Sequence, residues 1–361
     1  MVRPAGPGRE GQAVAVAGGG VPELKLLEGD CVEVLAELPS ASVDAIVTDP
    51  PYGIGIKHAR WDSQTAIREA VARKGGERLT RKKAYEVWCR IWATECLRVL
   101  KPGAHLLAFG SPRTAHRLSA GLEDAGLEVR DTLCWLYGTG IPTSHRLPGG
   151  RGTTLKPGYE PIVLSRRPLE GTTTQTIERH GTGALEIDLC RVEGRHPANV
   201  LLGHAPDCTP STCAAECPCA MLDRGERSRS VSARPSRFFY CPKVNRRERD
   251  AGCENLPPRF FDLFPNAPNK PARTRPARNA HPTLKPIELM RWLVRLVSPP
   301  GGLVLDPFCG SGSTGAAAAL EGRRFLGIEL SPEYVEIASA RITHWAPGEG
   351  KVDRGPFGGR P

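Results

Sequence analysis

The sequence predicts an α/β fold in which strands alternate with helices to form a largely parallel sheet. The first observation is an apolar strand at 303–306 that leads into a glycine turn, a helix and a second strand at 324–328. The second observation is an apolar run at 43–47, followed by an amphipathic helix at 82–100 and another strand at 105–110. Apolar residues recur at helical spacing in the helix and continuously in the strands. Strands and helices that alternate in this way form parallel sheets covered by helices.

The rest of the amino-terminal half predicts further strands and helices. Residues 23–56 contain a strand, a helix and a second strand, whereas 57–80 are polar and basic, as in a mobile loop. The next helix is predicted at 114–125, and two further strands at 127–137 and 159–164 complete the amino-terminal half.

The tetrapeptide Asp49-Pro50-Pro51-Tyr52, here called the DPPY segment, follows the apolar run at 43–47. Proline fixes its own φ and disfavours helix in the residue before it, so the segment is rigid. The Asp49 carboxylate and the Pro50 carbonyl can both accept hydrogen bonds from one flat amino group, and Tyr52 can lie against the ring that carries it. This pattern favours a site for the exocyclic amino group of a nucleobase. The alternative is a strand terminator with a surface tyrosine, because short motifs also occur by chance.

A glycine turn, residues 308–312, follows the strand at 303–306 and contains Phe308, Gly310 and Gly312. Glycines let a ligand approach the backbone, and the start of the next helix presents free N–H groups. The turn has neither the Gly-Lys-Ser/Thr of a phosphate-binding loop nor the spacing of a dinucleotide-binding turn. Glu329 ends the second strand, where an acidic residue is placed to bind a ribose diol. The alternative is an ordinary α/β turn with a surface glutamate.

Together the two motifs resemble the beta class of S-adenosylmethionine-dependent DNA amino-methyltransferases. The DPPY segment comes first and the glycine turn comes last, with a long variable stretch between them, which is the permuted order of that class. Residues 27–35 and 281–286 also resemble family segments, namely the opening strand with its helix start and the beginning of the cofactor half. The resemblance implies a Rossmann-like class I methyltransferase fold. Its sheet is mostly parallel, seven-stranded, flanked by helices and circularly permuted, with an irregular inserted recognition region.

The resemblance also assigns roles to residues. The catalytic set is Asp49, Pro50, Pro51 and Tyr52. The cofactor-binding set is Asp30, Thr283, Lys285, Asp306, Phe308, Gly310, Gly312 and Glu329. Within it, Asp30 is expected near the adenine of S-adenosylmethionine, and Thr283 and Lys285 near its methionine end. Trp135 and Tyr137 are candidates for the pocket of the target base, and core packing is the alternative for Trp135.

The implied reaction is site-specific methyl transfer from S-adenosylmethionine to adenine N6 of a flipped-out base in DNA. Adenine is favoured because Asp-Pro-Pro-Tyr accompanies adenine N6 in this family, whereas Ser-Pro-Pro-Tyr accompanies cytosine N4. Cytosine N4 methylation on the same fold is the first alternative, and methylation of RNA bases or of a protein glutamine amide is the second. The third alternative is a DNA-binding protein that keeps the scaffold without catalysis.

The composition divides the chain into segments. Disordered tails are expected at 1–22 and 346–361. The catalytic half of the methyltransferase domain is predicted at 23–168 and the cofactor-binding half at 281–345. Residues 169–280 are rich in Pro, Arg, Cys and Gly and lack hydrophobic periodicity, so they are predicted to be a target-recognition insertion with a linker.

The formal net charge of +10 favours a polyanionic partner, here double-stranded DNA. Basic residues interleave with aromatics in the insertion, as on nucleic-acid surfaces. The candidate DNA-binding residues are Arg229, Arg234, Arg237, Lys243, Arg246 and Arg247. A solvated charge run is the alternative. The resemblance adds a homodimer as the assembly to test and a cognate restriction endonuclease as the partner to look for. No apolar run approaches the ~20 residues of a membrane span, so a cytoplasmic enzyme is expected.

A cluster of cysteines within the insertion suggests a structural Zn²⁺ site. Its candidate ligands are His204, Cys208, Cys213, Cys217 and Cys219. Structural zinc takes four Cys or His ligands, and such a site would stabilise an insertion with a poor apolar core. The spacing lacks paired CxxC motifs, and a cluster of free thiols is the alternative.

Overall fold

The structure is a computed structural model that describes residues 14–16, 23–55, 60–73, 79–137, 146–191, 194, 196–204, 240–242, 244, 246–258 and 278–347. The strands are β1 Val14–Val16, β2 Leu24–Glu28, β3 Val43–Thr48, β4 Leu100–Phe109, β5 Glu128–Leu136, β6 Arg146–Leu147, β7 Arg151–Gly152, β8 Tyr159–Arg166, β9 Val200–His204, β10 Tyr240–Pro242, β11 Leu303–Asp306 and β12 Arg324–Glu329. The helices are α1 Cys31–Glu37, α2 Gln64–Arg73, α3 Arg81–Val99, α4 Ala115–Asp124, α5 Thr173–His180, α6 Arg246–Asp250, α7 Ile287–Val297, α8 Ser313–Leu320 and α9 Pro332–Trp345. Short 3₁₀ segments lie at Arg60–Asp62, Pro148–Gly150 and Asp188–Cys190.

Within these ranges, one mixed sheet contains ten strands in the order β1-β2-β12-β11-β3-β4-β8-β5-β9-β10. The seven strands from β2 to β5 in this order form the predicted methyltransferase sheet. All of them are parallel except β8, which is antiparallel to both of its neighbours. The three additional strands lie at the edges: β1 pairs with β2, and β9 and β10 extend the sheet beyond β5. The predicted α/β fold is confirmed, with these edge strands added.

The circular permutation is visible in the sheet. β11 and β12 are the last strands in the chain but lie between β2 and β3, which are near its start. The cofactor-type turn after β11 and the DPPY segment after β3 are therefore brought together by adjacent parallel strands. The two halves of the chain complete a single sheet.

Helices cover both faces of the sheet and create two apolar cores. On one face, α7, α8 and α9 pack against alternate strand residues such as Ala45 and Val47. On the other, α1, α2, α3 and α4 pack against the intervening residues such as Ile46. β3 is buried along its whole length, as expected for a central parallel strand covered on both faces.

Three segments differ from the sequence-based expectation. The predicted tail at 1–22 contributes β1, which adds an antiparallel edge to β2. The predicted mobile loop at 57–80 contains helix α2, which buries Ile67 and Val71 one turn apart against α3. The described part of the insertion at 169–280 supplies β9 and β10 to the sheet and also forms α5. A capping box between Thr172 and Gln175, readable in the sequence, starts α5.

Among the helices that the structure describes, none combines the length and hydropathy that crossing a bilayer requires.

Candidate active site

The fold brings the DPPY segment and the glycine turn to one edge of the sheet. β3 and β11 are parallel neighbours in which Ile46 pairs with Leu305, so their carboxyl ends meet. Asp49 follows β3, and Asp306 is the last residue of β11. β8 runs in the opposite direction, so its amino end, which carries Glu160, lies at the same edge. Ligands of open α/β sheets bind at this edge.

Two donors hold the Asp49 carboxylate. Tyr52 Oη lies 2.8 Å from Asp49 Oδ1, and Lys285 Nζ lies 2.5 Å from Asp49 Oδ2. Lys285 Nζ is also 3.3 Å from Glu160 Oε2 and 4.7 Å from the centre of the Phe109 ring. The lysine side chain is 6% exposed and that of Asp49 is 18% exposed. The lysine predicted near the methionine end of the cofactor therefore also contacts the DPPY segment.

Burial and charge pairing set the protonation of this group. Burial raises the pKa of Asp49, and the nearby Lys285 ammonium opposes that rise. Burial alone would lower the pKa of Lys285, but Asp49 and Glu160 outweigh it and raise that pKa. Burial also raises the pKa of Tyr52, so its hydroxyl stays protonated. Asp49 and Lys285 form an ion pair in which each partner stabilises the charge of the other.

The backbone of the DPPY segment is fixed by two side chains from the neighbouring helices. Tyr85 Oη donates to the Pro51 carbonyl at 3.1 Å, and Thr114 Oγ1 donates to the Tyr52 carbonyl at 2.9 Å. Gly53 then turns the chain with a φ of +66°, and a Cβ at this position would lie 2.7 Å from the Tyr85 ring. The segment is held by the protein before any ligand arrives.

The buried carboxylate of Asp306 holds the glycine turn through hydrogen bonds. Its carboxylate accepts hydrogen bonds from Thr48 Oγ1 at 2.7 Å, Thr314 Oγ1 at 2.5 Å and the Phe308 N–H at 3.1 Å. These partners join β3, the turn and α8 through one buried side chain. Burial raises the pKa of Asp306 to about 6, although the three donors oppose the rise.

Asp306→Asn is expected to remove a pH dependence of the free energy of unfolding of about 3 kcal/mol, because an amide does not titrate. Folded Asp306 has a pKa of about 6 against an ordinary value of 3.8, so the native state binds its proton more tightly. The stability that Asp306 contributes is therefore fully present below the ordinary value and is lost as pH rises through about 6. Denaturant unfolding of both proteins across this pH range measures the difference, which should grow with pH. A difference that is independent of pH would contradict the account.

Gly310 brings the glycine turn into contact with β12 and with His281. Its N–H donates to Glu329 Oε2 at 2.8 Å, and its φ is +52°. A Cβ at Gly310 would lie 2.8 Å from His281 Nε2, so a larger residue would displace the imidazole. The other Glu329 oxygen accepts from the Ser331 N–H at 2.9 Å, which fixes the predicted diol-binding carboxylate in one orientation.

A cavity of about 330 Å³ lies between the two motifs, within the usual range of ligand pockets. Its lining includes all of the predicted cofactor residues except Gly312, together with Asp49 and Pro51. Asp30 caps α1 by accepting the Val32 N–H at 3.0 Å. The rings of Phe308 and Trp88 lie 5.6 Å apart on another wall. Carboxylates for hydroxyl and amino groups, together with aromatic surface, fit the S-adenosylmethionine that the resemblance implies.

His281 is an additional residue of this cavity to which the sequence assigned no role. Its ring stacks on Trp61 at 6.2 Å and meets the Tyr334 ring edge-on at 4.6 Å. Burial lowers the pKa of His281 to about 3, so the imidazole is neutral. The 3₁₀ segment that carries Trp61 thereby connects the region before α2 to the glycine turn.

Arg341 is a second residue without an assigned role, and it is fully buried beneath the turn. Its Nη1 donates to the Ser311 carbonyl at 2.6 Å and lies 3.0 Å from Ser311 Oγ and 3.2 Å from Ser313 Oγ. Arg341 thus links α9 to the turn and to the start of α8. An isolated arginine in a helix pattern gives no sequence signal for such a contact.

Most of the predicted DNA-binding residues lie outside the described residues, namely Arg229, Arg234, Arg237 and Lys243. Arg246 and Arg247 are in the short helix α6, where Arg247 is exposed. The structure therefore does not place this set beside the DPPY segment, and its role stays a prediction.

The predicted zinc ligands Cys208, Cys213, Cys217 and Cys219 also lie outside the described residues. His204 is the last residue of β9, and only its backbone is described. In the part of the chain that the structure describes, no group of three or more His, Cys, Asp or Glu side chains could hold a metal ion. The zinc site stays a prediction.

Known proteins with similar sequences are DNA methyltransferases. The N6/N4 family model, described as DNA methylase, matches residues 43–340, from β3 to α9. The chain is 20% identical over 332 residues to the type II methyltransferase M.HinfI of Haemophilus influenzae, covering 91% of this chain and 70% of that protein. It is 23% identical over 356 residues to the type II methyltransferase M.HindIII of the same species, strain Rd. That match covers 88% of this chain and 94% of M.HindIII.

Among solved structures, the fold is similar to that of the PvuII DNA methyltransferase, described as cytosine-N4-specific. The TM-score is 0.53, the identity is 16%, and the match covers 90% of this chain and 89% of the other. At this identity the likeness supports the fold and does not identify the target base. The solved neighbours also include complexes with S-adenosyl-L-methionine.

Proposed function

The chain belongs to the DNA methylase family, and we propose that it methylates adenine N6 at a specific site in double-stranded DNA. Its coarser activity, methylation of an amino group of a DNA base at N6 or N4, follows from the family. The observation that carries the finer proposal is the DPPY segment itself. Asp49 lines the same cavity as the glycine turn. The Tyr52 hydroxyl donates a hydrogen bond to the Asp49 carboxylate.

The acceptors of the DPPY segment suit a weakly nucleophilic amine. The lone pair of an exocyclic amino group is delocalised into the base, which lowers its reactivity. Asp49 and the Pro50 carbonyl would accept hydrogen bonds from the two amine protons and localise that lone pair on nitrogen. Acceptors fixed in advance do this without reorganisation during the reaction. Tyr85 and Thr114 supply that rigidity by holding the segment's backbone.

The cofactor is S-adenosylmethionine, which supplies a methyl group activated by a sulfonium when bound. In our proposal Glu329 accepts from its ribose hydroxyls, Asp30 lies near its adenine, and Phe308 provides an aromatic wall. Gly310 and Gly312 keep the turn free of side chains beside it. The thiols of the partly buried Cys31 and the buried Cys309 are not required as nucleophiles, and burial raises the pKa of both.

The target base must leave the duplex to reach the DPPY segment. Flipping costs a few kcal/mol, and stacking on an aromatic side chain contributes about 1–3 kcal/mol per base in return. Tyr52 is the stacking residue in this proposal. The Trp135 ring is buried and packs 5.1 Å from that of Tyr137, so Trp135 belongs to the core, whereas Tyr137 is only partly buried.

A second cavity, of about 460 Å³, lies beside the DPPY segment and is suited to DNA phosphates. Gly53 and Thr114 form part of its wall, and the described residues that line it carry basic but no acidic side chains: Lys82, Arg113, His116 and Arg117. Arg117 is anchored, because its Nη1 lies 2.5 Å from Glu86 Oε2. Among the described residues, Lys82 and Arg113 have no ion-pair partner. Phosphate contacts position a protein on DNA without reading sequence.

Lys82→Gln and Arg113→Gln are each expected to weaken DNA binding equally for target and non-target duplexes. The slope of log affinity against log salt concentration should become shallower by about 0.9 for each phosphate that the protein no longer neutralises. Fluorescence anisotropy at several salt concentrations measures this slope. Arg90→Gln is the matched control. Arg90 is exposed on α3, the helix that also carries Lys82, and lies about 12 Å farther along this helix than Lys82. Unchanged slopes in the Lys82 and Arg113 variants would contradict a phosphate site.

Sequencing that detects modified bases tests the proposed function in cells that express this chain. The expected result is modified adenine at one recurring sequence. Modified cytosine would overturn the adenine proposal and keep the family activity. Unmodified DNA, with cofactor binding intact in the purified protein, would favour a non-catalytic DNA-binding protein. The homodimer and the cognate restriction endonuclease are predictions from the resemblance alone.

A further inference from the structure

Glu160 is a partly buried acidic group to which the sequence and the family motifs assign no role. It is the second residue of β8 and pairs across the sheet with Trp135 of β5. Because β8 is antiparallel to β4, its amino end lies at the edge that carries the DPPY segment. The Glu160 side chain is 20% exposed. Unlike Asp49, it is not among the described residues that line the cofactor cavity.

Three side chains surround the Tyr52 hydroxyl: Lys285 Nζ donates to it at 3.2 Å, and two carboxylates lie within hydrogen-bond distance. Tyr52 Oη lies 2.8 Å from Asp49 Oδ1 and 2.9 Å from Glu160 Oε2. A hydroxyl has one hydrogen, so it donates to only one of two carboxylates at a time. The other contact becomes a hydrogen bond only when that carboxyl group is protonated and donates to Tyr52 Oη. The geometry therefore has a place for one additional proton, shared between Asp49 and Glu160.

The charges of the cluster favour accepting that proton. The two carboxylates share one ammonium, since Lys285 Nζ lies 2.5 Å from Asp49 and 3.3 Å from Glu160. The cluster is therefore negative by one charge when both acids are ionised. Among the described residues, Tyr137 also faces Glu160, and its pKa is raised by burial and by that carboxylate, so it stays neutral. A proton brought to the cluster neutralises it.

We propose that Glu160 receives the proton that the target amine loses during methylation, passed from Asp49 through the hydroxyl of Tyr52. As the amine nitrogen forms its bond to the methyl carbon, the bond from that carbon to the donor sulfur breaks, and its electron pair stays on the sulfur, which would leave as a neutral thioether. One N–H bond of the amine also breaks, its electron pair stays on nitrogen, and the proton moves to Asp49 Oδ1. Asp49 then donates to Tyr52 Oη, while the Tyr52 hydroxyl proton moves to Glu160 Oε2. Tyr52 is neutral before and after, and the net change is one proton moved from Asp49 to Glu160. This inference rests on the proposed function only in requiring a DNA amino group as the acceptor.

The route gives the proton a way to reach water while both substrates are bound. Asp49 lines the cavity where the donor binds, and the base must approach it directly, so the bound substrates cover it. Glu160 contacts the Tyr52 hydroxyl, is not among the described residues that line this cavity, and has part of its side chain exposed. It can therefore release the proton to water while the substrates remain bound.

The first test is Glu160→Gln, which keeps the size of the side chain and one accepting oxygen but cannot take a proton. The single-turnover rate on target DNA should fall about 10²-fold, at the low end of the range for general acid–base groups. Glu160→Asp should restore much of the rate, and Glu178→Gln on the exposed face of α5 is the matched control. The pH profile should also change. Glu160 raises the pKa of Asp49, so the acid limb of the Glu160→Gln profile should move to lower pH. A structural defect would lower the rate equally at every pH.

The second test is the pair Tyr52→Phe and Glu160→Gln. If both residues act in one relay, the double variant should be no slower than the slower single variant, because either change breaks the same route. Multiplicative losses would overturn the relay, as would a wild-type rate and pH profile for Glu160→Gln. Cofactor affinity and thermal unfolding identify any variant that fails to fold, and Glu160→Asp then carries the test. Methylated cytosine in the products would overturn the adenine proposal but leave the relay intact, since both amines lose a proton.

Discussion

Asp49→Ala is expected to slow methyl transfer by about 10³-fold, the upper cost of removing one preorganised hydrogen-bonding group from an active site. S-adenosylmethionine should still bind, because Asp49 is only one of many groups that line the cavity. The base would lose the carboxylate that localises the lone pair of its amine. Single-turnover transfer of a labelled methyl group measures the rate, and calorimetry measures cofactor affinity.

The control for Asp49→Ala must separate chemistry from stability. The substitution leaves the buried Lys285 with Glu160 as its remaining close carboxylate, and breaking a buried ion pair costs about 3–5 kcal/mol. Asp49→Asn keeps the shape of the side chain and should also be slow, because the amide lacks the charge. Asp188→Ala, at a side chain 85% exposed, should keep the wild-type rate. A folded Asp49→Ala protein with near wild-type activity would show that the role assigned to the DPPY segment is wrong.

Lys285→Met is expected to move the acid limb of the pH–rate profile to higher pH. Burial raises the pKa of Asp49 and the Lys285 ammonium opposes that rise, so removing the ammonium should raise this pKa further. Asp49 accepts from the amine in its ionised form, so activity disappears below its pKa. Each further unit of pKa costs about tenfold in rate below the new value. Rates across a pH series at saturating cofactor measure the shift.

Lys285→Arg is the matched variant, because it keeps the positive charge beside Asp49 and should leave the acid limb near its wild-type position. Cofactor affinity must be measured as well, since Lys285 also lines the cofactor cavity. If Lys285→Met weakens cofactor binding and leaves the limb unchanged, the lysine acts on the cofactor alone and its proposed effect on Asp49 is wrong.

The sequence was most informative where local chemistry alone determines structure. Pro50 and Pro51 follow the end of β3 and prevent its continuation. Gly310 and Gly312 have positive φ values, which the turn needs and which glycine adopts readily. The bounds of α3 and α4 agree with the predicted helices to within one residue at each end. These features depend on backbone restriction and hydrophobic periodicity, which short windows of sequence contain.

Other features depend on pairings between distant segments, and the sequence contains no local signal for them. Glu160 reaches Tyr52 only because β8 inserts antiparallel between β4 and β5. Lys285 reaches Asp49 from 236 residues away. The helix α2 was missed because only Ile67 and Val71 are buried in an otherwise polar stretch. β9 forms by pairing with the edge of β5, and β10 forms by pairing with β9, so neither strand depends on a periodicity of its own.

The most direct test of the central proposal is mass analysis of nucleosides from unmethylated DNA incubated with the purified protein and S-adenosylmethionine. We expect N6-methyladenine with the wild-type chain, and with Asp49→Ala a rate of its formation about 10³-fold lower. N4-methylcytosine as the product would contradict the adenine assignment. N6-methyladenine formed equally by the Asp49→Ala protein would contradict the role of the DPPY segment in binding the amine.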